Sequence, residues 1–509
     1  MGSTPPTNRL HHAGAEIDSA RMAAVGGEEP DAEAAAILFR LPAEWQQMLA
    51  SFADLDHTPA LRAVLANVRE RATLAMMEPE YVDRDFHDEH AGHYAKTFRP
   101  LPNRCRRLHF FAEAEDRNPY LGYCVLRPLR ARPTGRTIIS PPSQLAAHVS
   151  CVCTSVVRPH GERLRVSGFP FMEQDSQYGV CAHACVWMVA LYHHFAHGTP
   201  RREISDIAIG AASHPEPSRI TPSGGLSAAQ VAVALDHLGL NPINYSLAGL
   251  DPGQNVAHIV CRYLNSRLPV VLATHGHATV LVGYGRDRAG RLFYIRSDES
   301  KGPYTVVYGS EDPLGAWNYL FVPTPGRIHL TGEFAEFYAN EMFQGLLKQE
   351  DNAALRRRLG GKLRLRTYVT QAGDYKTRAP QRGVCEAIHR SHRLLPTSDW
   401  VWVVELQDPV AAASSRHCVL GEIVIDATCE QADLNPLFGY LAGFSFLWED
   451  GRTLPLQTAR EDSTPHFSGT ALHDVPSAEL PGPVQRRSFL SRVAQSRRRR
   501  SSQAPSRLK

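Results

Sequence analysis

No run of about 18 uninterrupted apolar residues occurs in the chain, which excludes an ordinary membrane-spanning helix. The opening residues, MGSTPPTNRLHHAGAEIDSA, lack the apolar stretch of a secretory signal, so the expected location is cytoplasmic. Neither sign of charge dominates. Lys plus Arg number 55 against 52 for Asp plus Glu, a formal net charge of +3, so no general nucleic-acid footprint covers the body of the chain. Ten cysteines lie scattered without a CxxC pair or regular spacing, which describes neither a disulfide framework nor a zinc site and reads most of them as buried thiols. Gly2 opens a loose lipidation pattern, but the sixth position is Pro6 and nothing basic or palmitoylatable follows closely.

What is present is enough apolar material to fold. Hydrophobic residues make up 43% and charged residues 21% of the 509, the balance of a globular protein, and the length predicts about three domains. Residues 1–43 mix Pro, Gly, Ala and acidic residues and read as disordered, ending in DAEAAAILFRL, which can begin a helix. From Glu44 to Thr97 the apolar positions fall at helical spacing, and strand-like runs follow at RLHFFAE, YLGYCVLRPL, RTIIS and HVSCVCTSVV. Residues 44–168 therefore read as a mixed α/β domain. Residues 169–325 read as three helices and then strands, an α+β order. The helices are CAHACVWMVALYHHF, LSAAQVAVALDHLGL and NVAHIVCRYLNSR; the strands are PVVLAT, HATVLVGYG, RLFYIRSD and TVVYG, with a DRAG turn making a hairpin of the second and third. Residues 326–454 read as a third mixed domain, with a helix around Glu333–Arg358 and strands at KLRLRTYVTQ, WVWVVELQ and CVLGEIVIDAT. Residues 455–509 are a polar linker and a basic tail.

A thiol is a useful nucleophile only as the thiolate, which a helix N-terminus and a neighbouring imidazolium both favour. Cys181 follows the polar turn EQDSQYGV and opens an apolar helix, so its sulfur is expected at the positive end of that helix. Downstream, His277 begins a strand with Val280 and Val282 and glycines at its end, and the hairpin's return as RLFYIRSDES brings Asp298 alongside, where a carboxylate can hold the imidazole tautomer. Gln174, upstream of Cys181, can donate its amide to an oxyanion together with the Cys181 backbone N–H, and Gln177 is a rival for that role.

QDSQYGVCAHACVWM, GLSAAQVAVALDHLGL, RLPVVLATHGHATVLVGYG and FYIRSDES together resemble the papain-like cysteine peptidases, in the bacterial branch that includes the double-glycine leader peptidases of bacteriocin exporters. The resemblance covers about a third of the chain and implies a helical half packed on an antiparallel sheet, flanked by two smaller mixed α/β domains. It implies Cys181 as nucleophile, His277 as base, Asp298 as orienting acid and Gln174 as oxyanion donor, with no cofactor and no metal. Ala182 stands where the family usually has Gly after the nucleophile, and Gln174 lies one residue further from the cysteine than the family's spacing.

Cys185 competes as nucleophile, but one turn inside the helix it loses the unpaired N–H groups of the terminus. His275 competes with His277, being two residues away and on the same face of a strand, while His183 reads as an exposed helix residue. His87, His90 and His93 in DFHDEHAGHY invite a metal reading, but they match no closed ligand set and a solvated helix face explains them. The basic tail can contact nucleic acid or an anionic surface, although a solvated terminus explains it as well. The expected function is hydrolysis of an amide, peptide or isopeptide bond in a peptide or protein substrate through a Cys181 acyl-enzyme. The alternatives are acyl transfer with the same residues and a papain-like binding module without turnover.

Overall fold

The computed structural model of the chain describes residues 36–98, 101–113, 119–214, 223–250, 255–274, 276–309, 316–348, 356–357, 359, 363–378, 393, 397–407, 419–428, 441–447 and 453–454. Helices and antiparallel sheets mix throughout, an α+β fold. Of residues 1–43, expected to be disordered, 1–35 lie outside the described residues, as does the basic tail, whereas 36–43 are ordered as a strand and the turn that follows it. No helix among the described residues is long and apolar enough to cross a membrane.

The first segment comprises β1 (Ile37–Arg40), α1 (Trp45–Ala50), α2 (Pro59–Arg69), β2 (Leu74–Tyr81), α3 (Arg84–Gly92), β3 (Cys105–Phe111), β4 (Tyr120–Leu126) and β5 (Thr134–Ile139), its strands forming a sheet in sequence order. Two of these strands correct the sequence reading. ILFR, expected to begin a helix, is an edge strand that buries Phe39 and pairs Leu38 with Met76, and LAMMEPEY, within the stretch read as helical, pairs with strands on both sides. Ladder hydrogen bonds to neighbours distant in sequence override local periodicity here. The helices keep their local signals: Thr58 caps α2 ahead of Pro59, and Asp83 caps α3 through the N–H groups of Asp85 and Phe86. A hairpin of β6 (Cys153–Val157) and β7 (Leu164–Gly168) follows.

The central segment runs α4 (Cys181–His197), α5 (Ile204–Ala212), α6 (Ala228–His237), β8 (Leu240–Ser246), α7 (Val256–Asn265), β9 (Val270–Ala273), β10 (Ala278–Arg286), β11 (Leu292–Asp298), β12 (Gly302–Tyr308) and β13 (Tyr319–Pro325). Its sheet has the order β12-β11-β10-β9-β13-β8, antiparallel at every pairing. The hairpin expected at the DRAG turn is β10–β11, with Arg286 opposite Leu292. Helix α4 is apolar nearly all round, buries Ala182 to His193 without a break and stops at Gly198 in the left-handed conformation. His183 is therefore buried rather than exposed, and burial pushes its imidazole down to about 4. Sequence reading missed β8 and β13, both of which carry proline.

The last segment packs α8 (Gly332–Leu347) against a sheet of β14 (Arg364–Gln371), β15 (Trp400–Gln407), β16 (Val419–Asp426), β17 (Leu441–Leu447) and β18 (Thr453–Leu454). One apolar core runs without interruption from Phe39 through α4 and β9–β10 to Ile425, so the segments share an interior. Gly302 marks how closely they meet: its φ is +112°, and a Cβ there would lie 2.3 Å from the Cβ of Ala63 on α2.

Candidate active site

The nucleophile candidate and its partners come from two layers. Cys181 is the first residue of α4, and no side chain caps that helix, so the first-turn N–H groups are left for the thiol and for whatever binds beside it. Cys181 is partly exposed, whereas Cys185 is fully buried and burial pushes its thiol well above the ordinary range, which removes it as a nucleophile.

His277 directly precedes β10 at the end of a tight turn. Thr274 accepts from the His277 and Gly276 N–H groups through its hydroxyl, and its own N–H donates to the His277 carbonyl at 2.8 Å. The β10–β11 register brings the end of β11 to the same place, where His277 Nε2 lies 3.2 Å from Asp298 Oδ2. With Nε2 engaged, Nδ1 is the nitrogen left for the thiol, and the hydrogen bond with Cys181 is the second cause, after that with Asp298, of an imidazole raised to about 10. Burial alone would push Asp298 up. Hydrogen bonds from His277 and from Ser300, with the charges of His277 and Arg296, instead hold it down at about 2. Trp317 lies beside the imidazole, ring centres 6.2 Å apart. His275 lies outside the described residues.

Glu299 was not singled out from sequence. Its side chain is 1% exposed, and Oε1 is 3.7 Å from His277 Nδ1. Burial pushes it up to about 7, the His277 charge opposing and the Asp298 charge adding to the shift. The only signal was its place next to Asp298 at a hairpin end. Among the described residues, Cys181, His277 and Glu299 form a group close enough to share an ion. His87, His90 and His93 form no such group: His90 Nε2 bonds to the Leu101 carbonyl, His87 Nδ1 to the Asn103 amide, and His93 stacks on Tyr178.

Gln174 reaches the site through its backbone, whose N–H donates to the Glu299 carboxylate, and its side chain is half-buried. Gln177 is exposed, its N–H donating to Asp175 and its carbonyl accepting from Ser223. The loop that delivers Cys181 is held by Asp175, another residue that sequence reading passed over. Its Oδ1 accepts from the N–H groups of Gln177, Tyr178 and Gly179, and its Oδ2 from the Tyr94 hydroxyl at 2.8 Å.

The first segment grips the same loop. Arg127 donates to the Glu173 carbonyl at 2.7 Å while pairing with buried Glu89, and the Glu173 carboxylate accepts from Thr58 and from the Thr134 N–H. Asp85 on α3 accepts from Trp187 on α4 and from Arg201. Tyr94→Phe removes one hydrogen bond to a buried carboxylate and is expected to cost about 1.5 kcal/mol in a urea titration, with m unchanged. No protein-family model matches this chain, and no curated protein matches it.

Proposed function

We propose that this chain is a papain-like cysteine hydrolase, with a helical half bearing Cys181 packed on an antiparallel sheet bearing His277 and Asp298. The observation that carries this reading is the relay itself: a partly exposed thiol at an uncapped helix N-terminus, grouped closely with an imidazole whose Nε2 is held by a buried carboxylate. The substrate is an amide, peptide or isopeptide bond, and no step below needs a cofactor. Cys181 Sγ attacks the carbonyl carbon as a thiolate while His277 carries the proton. The oxyanion takes the Cys181 N–H and the Gln174 amide. His277 Nδ1–H then protonates the leaving amine as the tetrahedral adduct collapses to a thioester. Water, deprotonated by His277, attacks the thioester, and the thiol and imidazole are regenerated with release of the acid. Asp298 holds the Nε2–H throughout, keeping Nδ1 facing the thiol. An amine in place of water would make the same acyl-enzyme an acyl donor.

All seven cysteines among the described residues are free thiols, which supports a reducing, cytoplasmic setting. Iodoacetamide followed by peptide mapping tests the site without a known substrate. Cys181 is expected to label at least about tenfold faster than any other cysteine, and His277→Gln to remove that advantage by withdrawing the imidazole. Equal labelling of Cys181 in the two proteins would remove the pair, and with it the hydrolase.

A further inference from the structure

The relay leaves one buried group without a task. Glu299 is 1% exposed beside the nucleophile, and its Oε2 has no hydrogen-bond partner. A carboxylate oxygen in that state is costly unless something completes it. One sulfur, one nitrogen and one carboxylate oxygen from Cys181, His277 and Glu299 all lie within 4.8 Å of one another. The Nδ1 to Oε1 distance of 3.7 Å is a few tenths of an ångström longer than the edge, about 3.3–3.5 Å, that joins nitrogen and oxygen in a tetrahedron around zinc, a gap that a small side-chain rotation closes.

We propose that Cys181, His277 and Glu299 bind a Zn²⁺ ion, which holds the hydrolase idle by taking the thiolate and the Nδ1 lone pair. The binding stands on the three donors alone; the inhibition rests on the hydrolase reading. A thiolate, an imidazole and one carboxylate suit zinc over magnesium or calcium, which prefer sets of hard oxygens. Asp298 on Nε2 already supplies the outer carboxylate that fixes a zinc-binding imidazole with Nδ1 toward the ion. Cys181 is partly exposed and the His277 side chain 33% exposed, so an ion has a way in from solvent and a fourth position is left for water.

The test uses the full chain, stripped with a chelator and labelled with iodoacetamide with and without zinc at a free concentration ten times its dissociation constant. Cys181 is expected to label about tenfold more slowly with zinc, and Glu299→Gln to lose that protection, each variant being referred to its own zinc-free rate. Native mass spectrometry should find one zinc fewer per chain in Glu299→Gln and in Cys181→Ser, the latter keeping the side chain's shape if the former folds poorly. Fast labelling of Cys181 that zinc does not slow would overturn the zinc site and leave the nucleophile standing. If Cys181 labels slowly even without zinc, the hydrolase reading fails, and the mass measurement decides the ion: loss of one zinc in both variants supports the site, and an unchanged count overturns it.

Discussion

With p-nitrophenyl acetate as an activated acyl donor, Cys181→Ala is expected to abolish the burst of p-nitrophenolate, one equivalent per chain, that formation of a thioester produces. His277→Gln should lower the acylation rate by about 10²–10⁴, the usual contribution of a positioned general base. Cys185→Ala should keep the burst, because that sulfur is wholly buried in the core behind the helix terminus and only its packing is lost. The three variants separate nucleophile from neighbour. A burst that survives in Cys181→Ala and disappears in Cys185→Ala would reverse the assignment, and a burst absent from the unaltered chain would turn the reading toward a binding module.

The parts of this site that were legible in the sequence are those fixed by short-range signals. Cys181 follows a polar turn and precedes a long apolar run, so the start of α4 is written locally. The β10–β11 hairpin announces itself by the DRAG turn between two apolar strands, and its register then brings His277 to Asp298. Strands β8 and β13 were hidden by the prolines in LNPINYS and YLFVPTP, which argue against strand in any local reading. In the sheet Pro242 lies opposite Pro323, so neither asks the other for an N–H, and β8 is an edge strand. Asp175 and Glu299 were illegible for another reason. Each is an ordinary acidic residue in a polar stretch, and its meaning comes from burial against elements far away in the chain: Tyr94 for the first, His277 and the Gln174 backbone for the second. Arg127, Thr58 and Asp85 likewise tie the first segment to the nucleophile's loop and helix through partners far away in the chain, which no local reading shows.

Asp298→Ala is expected to combine the largest loss of stability with a loss of turnover. The carboxylate is fully buried and faces His277, Ser300 and Arg296, and removing one partner of a buried pair costs about 3–5 kcal/mol. Asp298→Asn keeps the shape and isolates the charge; it should fold better yet still lower the acylation rate by about 10²–10⁴, because an amide can present the wrong partner to Nε2. The pH dependence of unfolding carries the same pair. The folded imidazole titrates at about 10, above its unfolded value of 6.5, so its stabilisation is complete below 6.5 and is lost as pH rises through 10. The folded Asp298 carboxyl titrates at about 2, below 3.8, so its share is complete above 3.8 and is lost as pH falls through 2. Glu299, raised from 4.5 to about 7, favours the fold when protonated, and that preference is lost as pH rises from 4.5 through 7. Urea titrations of the unaltered chain should therefore show stability falling in two stretches as pH rises, the first from 4.5 to 7 and the second from 6.5 to 10. Glu299→Gln should flatten the first and Asp298→Asn the second, where the loss is about 2 kcal/mol once solvent screening of the partly exposed imidazole is allowed for. If the unaltered chain and Asp298→Asn lose stability in parallel from pH 6.5 to 10, His277 and Asp298 do not share a proton in the folded protein. The base of the proposed mechanism would then lack the partner that orients it.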